Sequence, residues 1–444
     1  MLPGSLITLV FDGLDTLATV TLNGKTILES NNMFLAHRVD ITKALEADGD
    51  HVLEITFDCA MLKARELCEH DKKHKWASFN GDPARMSLRK AQYHWGWDWG
   101  PVLMTAGIWR DVRMEVYSAR VDDLWTDIHL ADDYRRATIT AFADVSLSPR
   151  SSGPFKARFV LRLHGKEVDS AEDSLTEDTT KVTFDIDNPS LWWPNGYGEP
   201  TLYELSVSLS NSHGELHQTT KRVGIRRAEV IQRPDKHGKS FFFRVNGVDI
   251  FCGGACWIPA DSLLPNISPE RYRKWVELMV DGSLNMTRVW GGGIYEDDHF
   301  YDACDELGIM VWQDFMFACG NYPTWPWLLD SIRKEAIYNV RRLRHHPSIV
   351  IYVGNNEDYQ VQEQSGLEYN YEDKDPDNWL KTDFPARYIY EKLLPSIVQE
   401  LSPNTFYHPG SPWGDGKVTS DRAVGDLHQW NGMRHLEAVA YIHC

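Results

Sequence analysis

The sequence predicts a multidomain β and α/β fold: two antiparallel β-sandwiches in succession, then an incomplete (β/α)8 barrel. Three observations predict it. Up to about residue 227, apolar and polar residues alternate with the period of two that half-buried strands require. After about residue 245 the rhythm changes to short apolar runs separated by amphipathic helical stretches, the pattern of βα units on a parallel sheet. Finally, 444 residues are too many for one ordinary domain and enough for several, each with its own core.

The first block spans residues 1–118. Thr19-Val20-Thr21-Leu22 runs into Asn23-Gly24, a strong hairpin signal, and further strand patterns lie at 52–57 and 112–117. Strand character begins by Ile7, so the sandwich is expected to open in mid-sheet with its first strands missing. The second block, 119–227, alternates again at 137–142 and 205–209 and has the size of an immunoglobulin-like sandwich. Ser148 to Pro154 reads as a loop inside it.

The third block, 228–444, is the barrel. One helix is legible end to end: Ser268 can cap it, Pro269 fits its first position, Gly282 stops it, and Tyr272, Trp275, Val276 and Met279 share a face. Six strands are predicted, at 250–253, 287–290, 309–312, 349–353, 405–407 and 424–428. A complete barrel needs eight strands and about 250 residues, whereas about 200 remain after residue 245. A barrel two strands short would leave sheet edges unpaired and prone to aggregate.

Composition narrows the function. Sixty-four acidic against 46 basic residues give a formal charge of −18, which opposes binding to phosphate backbones, so nucleic acid is not an expected partner. No apolar run approaches the roughly 18 residues that span a bilayer, and the start has no signal-peptide pattern, so a cytoplasmic protein is expected. Seven cysteines without paired CxxC spacing give neither a disulfide framework nor a zinc site. Sequons occur at Asn266 and Asn285, the second inside an apolar pattern where a glycan would not fit. No HExxH, P-loop, strand-linked GxGxxG or GxSxG motif is present, and no cofactor or metal is called for. His345-His346 fits a helix-to-strand turn. Oligomeric state is not legible.

The chemistry points to Val353-Gly354-Asn355-Asn356-Glu357, where a buried apolar strand ends in two amides and a carboxylate. The C-terminal ends of parallel barrel strands build active sites. Partial desolvation there is expected to raise the Glu357 pKa and suit it to act as a general acid. The alternative is a helix-initiating glutamate with capping amides. The Trp-rich loop from Tyr93 to Pro101 is either an aromatic plug or a binding rim. Asp98 between Trp97 and Trp99 favours the rim, because a charge among indoles is costly without a partner or an open pocket. Trp290 before three glycines can offer its face to a sugar or fill a core. His428 and Trp430, after the sixth predicted strand, are further pocket candidates. Asp314 is left without a role.

Arg288-Val289-Trp290-Gly291-Gly292-Gly293, Trp312-Gln313-Asp314-Phe315, Gly354-Asn355-Asn356-Glu357 and the segment Tyr93 to Pro101 together resemble glycoside hydrolase family 2, in the manner of its fungal β-mannosidases. The resemblance runs from the opening sandwich to about Trp430. It implies a jelly-roll sugar-binding domain, an immunoglobulin-like domain and a TIM barrel, with Glu357 as acid/base, Asn356 on the sugar 2-hydroxyl, and Trp97 and Asp98 on the terminal sugar. It further implies a retaining exo-β-mannosidase acting on mannose-terminated oligosaccharides. The family nucleophile lies in a Ser-Glu-Phe-Gly type segment at the seventh strand, and no such segment occurs in this sequence. Three readings therefore stay open: a β-mannosidase, another family 2 β-glycosidase such as a β-galactosidase or β-glucuronidase, and a non-catalytic carbohydrate-binding remnant or gene fragment.

Overall fold

The computed structural model describes residues 5–45, 49–149, 151 and 153–428. Trp430, Cys444 and the closing segment lie outside the described residues. Leu6–Phe11 is the centre of one antiparallel sheet, flanked by Val112–Tyr117 and His37–Asp40. A second sheet is centred on Ala18–Leu22, between Lys25–Ser30 and Leu53–Phe57. Asn23 and Gly24 take φ values of 52° and 77°, the left-handed pair that a two-residue hairpin turn demands. Ile7, Leu9, Phe11, Val20 and Leu22 bury their side chains between these strands.

The second block is a two-sheet sandwich. Ala119–Leu130, Arg136–Leu147 and Thr179–Asp187 form one sheet. Lys166–Ser174, Lys156–Leu163, Tyr203–Asn211 and Gly214–Val223 form the other. Burial along Thr179–Asp187 alternates at every residue, so the period of two places Val182, Phe184 and Ile186 in the core with Phe159, Leu161, Leu205 and Val207. Ser148, Pro149, Ser151, Gly153 and Pro154, the described residues of the expected loop, lie outside the strands, between Arg136–Leu147 and Lys156–Leu163.

A hairpin of Phe242–Val245 and Val248–Ile250 then leads into a parallel sheet of five strands: β1 (Gly254–Trp257), β2 (Met286–Val289), β3 (Met310–Asp314), β4 (Ile349–Val353) and β5 (Phe406–His408). Helices α1 (Pro269–Asp281), α2 (Asp298–Leu307) and α3 (Pro326–Leu343) alternate with the first four strands, and α4 (Asp358–Ser365) and α5 (Leu394–Leu401) both lie between β4 and β5. Ser268 caps α1 by accepting from Arg271 N, and Gly282 follows its last residue. Tyr272 and Val276 are buried on that helix, but Trp275 is exposed.

Two strand expectations are corrected. Ile250 closes the antiparallel hairpin and the first parallel strand begins four residues later, at Gly254. A Cβ there would stand 2.1 Å from the Met286 carbonyl oxygen, so only glycine lets β1 lie this close to β2. Residues 424–428 are not a strand: their anchoring contacts come from the Asp426 and His428 side chains, and Ala423 O accepts instead from Lys239 N at 2.7 Å. Among the described residues the parallel strands number five, not six.

No helix among the described residues is long and apolar enough to cross a membrane. Asn285 is buried and bonds Phe251 O and Gly253 N through its side chain, which leaves no room for a glycan. His346 occupies the turn between α3 and β4, paired with Asp305.

Candidate active site

Strand β4 is apolar and fully buried over all five residues, and its chain emerges at Gly354. A Cβ on Gly354 would meet Pro409 O at 2.2 Å, so the exits of β4 and β5 are in close contact. Beyond the strand the backbone stays pinned on both sides. Asn356 N donates to Phe317 O, Glu357 N donates to Ser411 O, and Ser411 N donates to Asn355 O, at 3.0, 2.8 and 3.0 Å. Glu357 itself holds φ 66°, uncommon for a residue with a side chain. This twist turns its carboxylate away from α4. The cap of that helix is supplied by Asn355, whose Oδ1 accepts from Asp358 N at 3.1 Å, and Glu357 makes no cap bond. Glu357 does stand at the start of α4, where its carbonyl accepts from Val361 N at 3.0 Å, with Asn355 as the capping amide, and this leaves its carboxylate free for other partners.

The Glu357 carboxylate meets two groups. Oε1 lies 2.8 Å from His428 Nδ1, and Oε2 accepts from Cys319 Sγ at 3.3 Å. His428 Nε2 sits 3.3 Å from Arg288 Nη1, which can only donate, and 3.0 Å from Ser411 Oγ, which gives its own proton to Asp426. These neighbours make opposite demands on Nε2. Nδ1 holds a proton under either one, because the carboxylate it faces only accepts.

Burial pushes the Glu357 carboxyl up, but the His428 hydrogen bond and charge, the Cys319 thiol and the Arg288 guanidinium outweigh it and hold the group below the usual glutamate range. This corrects the expectation of a raised value. Desolvation alone was legible in the strand pattern, whereas the compensating donors come from three segments distant in sequence. Asp358, the next residue, behaves in the opposite way: burial drives its carboxyl up to about 8, although Tyr390 and Gly320 N donate to it.

Arg288 ties the site together. It projects from β2, donates to Asp314 at 2.8 and 3.3 Å and to Asn356 Oδ1 at 3.0 Å, and is partly buried, with 13% of its side chain exposed. Asp314 also accepts from Trp312 Nε1 and Gly291 N, at 2.9 and 3.0 Å, so its place is to orient Arg288 and the turn after β2. Asn356 completes the set, with Nδ2 donating to Cys319 Sγ at 3.3 Å.

The aromatic candidates form a second cluster. Trp97 and Trp290 meet edge to face at 4.8 Å between centroids, and Trp99 meets Trp290 at 5.8 Å. Trp290 is buried, and Gly292 packs against its ring: a Cβ on that glycine would stand 1.9 Å from Cη2. Tyr93 N donates to Gly292 O at 3.0 Å, which fastens the Trp-rich loop of the first sandwich to the turn after β2. Asp98 is exposed and, among the described residues, has no hydrogen-bond or charged partner. With Trp97 it lines an open cleft of about 680 Å³, bounded by Arg65, Asn80, Asp82 and Val102. His428 is brought to Glu357, and Trp430 lies outside the described residues. Arg288, Cys319 and Ser411 were missed in the sequence. Of these only Arg288 left a signal, as the one charge in a short strand whose other residues are buried.

Parallel strands whose C-terminal ends converge on a carboxylate, preceded by two sandwiches, define a class that comparison identifies. Residues 2–110 match the glycosyl hydrolase 2 galactose-binding domain-like family, and residues 119–226 match glycosyl hydrolases family 2. The chain belongs to glycoside hydrolase family 2. It is 73% identical over 429 residues to a protein named beta-mannosidase B of Neosartorya fischeri, covering 96% of this chain and 50% of that protein. It is 70% identical over 434 residues to the beta-mannosidase B of Aspergillus niger, covering 97% and 51%. Its structure matches that of a β-D-mannosidase from Dictyoglomus thermophilum with a TM-score of 0.84 at 38% identity, covering 96% of this chain and 51% of the other. A β-glucuronidase from Parabacteroides merdae shares the fold, with a TM-score of 0.65 at 17% identity and coverage of 91% and 45%. The chain spans about half the length of the curated relatives it matches.

Proposed function

We propose that this chain supplies the acid/base half of a retaining exo-β-mannosidase, which removes terminal non-reducing β-D-mannose from oligosaccharides or glycoprotein glycans. The observation that supports the reading is Glu357 at the exit of β4, with its carboxylate turned from the helix and held by His428 and Cys319. Mannose enters through likeness to proteins named as β-mannosidases. In this reading residues 1–118 and 119–227 are separate sandwiches, and 228–444 is part of a (β/α)8 barrel.

Glu357 gives its proton to the glycosidic oxygen as the bond to the anomeric carbon breaks, then takes a proton from the water that releases the sugar. A second carboxylate, about 5–5.5 Å away in retaining enzymes, forms the covalent glycosyl intermediate. By the family resemblance it lies in a Ser-Glu-Phe-Gly type segment, a motif that does not occur in this sequence. Its negative charge would push the Glu357 value up, which restores the proton that the acid role needs. Asn356 holds the 2-hydroxyl, and Trp97, Asp98, Trp290, His428 and Trp430 enclose the terminal sugar.

The full-length protein is tested with aryl β-mannoside, β-galactoside and β-glucuronide. Fastest cleavage of the mannoside is expected, and preference for either of the others replaces the substrate assignment. Glu357→Gln should lower turnover of a poor leaving group by about 10²- to 10⁴-fold and of an acidic phenol far less, since the phenol departs unprotonated. Equal losses on both would remove Glu357 from the acid role. The lack of a Ser-Glu-Phe-Gly type segment in this sequence favours, as a second reading, a non-catalytic carbohydrate-binding chain. Turnover by the 444-residue chain alone would refute it.

A further inference from the structure

The loop after β3 reaches Glu357 through a residue that the proposed chemistry does not use. Cys319 is buried and holds φ 53°, a left-handed conformation that residues other than glycine adopt only when their surroundings enforce it. In that conformation Sγ accepts from Asn356 Nδ2 and donates to Glu357 Oε2, both at 3.3 Å. The backbone around it is fastened from two directions. Cys319 N donates to Asn356 O at 2.7 Å, and Cys319 O accepts from Phe79 N at 2.9 Å and Arg85 Nη2 at 2.7 Å.

Arg85 belongs to the first sandwich and is fully buried. Its guanidinium also donates to Ala318 O at 2.8 Å, to Phe79 O at 3.0 Å and to Gln92, and lies 5.2 Å from the centre of the Trp97 ring. One planar fork therefore touches the Trp-rich loop and two consecutive carbonyls of the turn that contacts Glu357. Lysine, with a compact point charge, could not make this set of contacts.

We propose that Arg85 and Cys319 form a clamp that positions Glu357, with Arg85 fixing the turn and Cys319 fixing the carboxylate against Asn356. The inference rests on Glu357 as the acid/base for its functional meaning, but its test does not need turnover. The charged and titratable groups around the pair are His428 from the segment after β5, Arg288 from β2, Asp358 beside Glu357, and Arg85 behind Cys319.

The experiment is a carboxyl titration by NMR on protein labelled with 13C in glutamate side chains, with the Glu357 signal assigned by its loss in Glu357→Gln. Cys319→Ala removes a donor from the carboxylate and should raise the Glu357 value by about half a unit or more. Cys319→Ser keeps a hydroxyl donor and should stay closer to the parent. Arg85→Lys should shift it in the same direction as Cys319→Ala, and the double variant should shift it by less than the sum, because both changes act on one contact. Parental titration in folded Cys319→Ala overturns the clamp, as do equal shifts in the alanine and serine variants. If Arg85→Lys does not fold, the alanine and serine pair decides alone. Failure of the full-length protein to hydrolyse any glycoside would remove the glycosidase reading and leave this result intact.

Discussion

Glu357 and Asp358 stand side by side at the exit of β4 and ionise in opposite senses. Glu357 has His428, Cys319 and Arg288 to offset burial, whereas Asp358 is driven to about 8 with Tyr390 and Gly320 N as its donors. Below about pH 8, then, folded Asp358 keeps its proton, while the unfolded chain loses it near the usual aspartate value of about 3.9. The folded value is raised, so the stability this group contributes is full below the unfolded value and is lost as pH rises through the folded one. Asp358→Asn stays neutral throughout. Its melting temperature relative to the parent should therefore climb between about pH 5 and pH 8, and a constant difference would mean that Asp358 is ionised in the fold. The carboxylate at the end of an apolar strand was legible for Glu357. The split between the two neighbours was not, because it depends on which distant donors each one meets.

At the scale of elements, legibility followed how local the cause was. Strand β4 was predicted with its observed limits because five consecutive apolar residues can only be buried there. Helix α1 was predicted because its cap, its proline and its terminating glycine are all within the segment. The first parallel strand was misplaced by four residues because Ile250-Phe251 looks like a strand and the glycines after it look like its end, while packing against β2 makes Gly254 its beginning. The turn after β2 offers a test. Gly292→Ala would drive a methyl into the Trp290 ring, so overpacking should cost about 1–3 kcal/mol and change the emission of the Trp97–Trp290 pair. A variant with parental melting and emission would show that the ring is free to move.

Across the whole molecule, the first sandwich is joined to the parallel sheet by buried charge rather than by apolar contact alone. Arg89 grips both oxygens of Glu335 on α3 at 2.6 and 2.8 Å, with Asn32 and Tyr295 completing the acceptor's bonds. Both side chains are at most 2% exposed. Arg89→Ala leaves that carboxylate buried without its counter-charge, a loss of about 3–5 kcal/mol. Thermal melts should show a marked drop for Arg89→Ala and a smaller one when Glu335→Gln is added, because the uncompensated charge is then gone. Equal melting of parent and Arg89→Ala would make this contact incidental. The second sandwich is tied in similarly, by Arg344 to Asp123 at 2.6 Å and by Arg226 to Pro347 O and Ile349 O at the entrance of β4.

The sequence by itself determined the order of two antiparallel blocks and a parallel one, the limits of β4, and the position of Glu357 at its exit. Each follows from hydrophobic period and capping, which act over a few residues and leave their mark in adjacent letters. Tertiary structure alone decided that Cys319, Arg288 and His428 converge on Glu357, that the carboxyl is held down rather than raised, and that Trp97 meets Trp290. These depend on hydrogen bonds and charges between segments as far apart as Arg85 and Cys319. Such pairs have no local signature, because what selects them is the distance that folding creates between them.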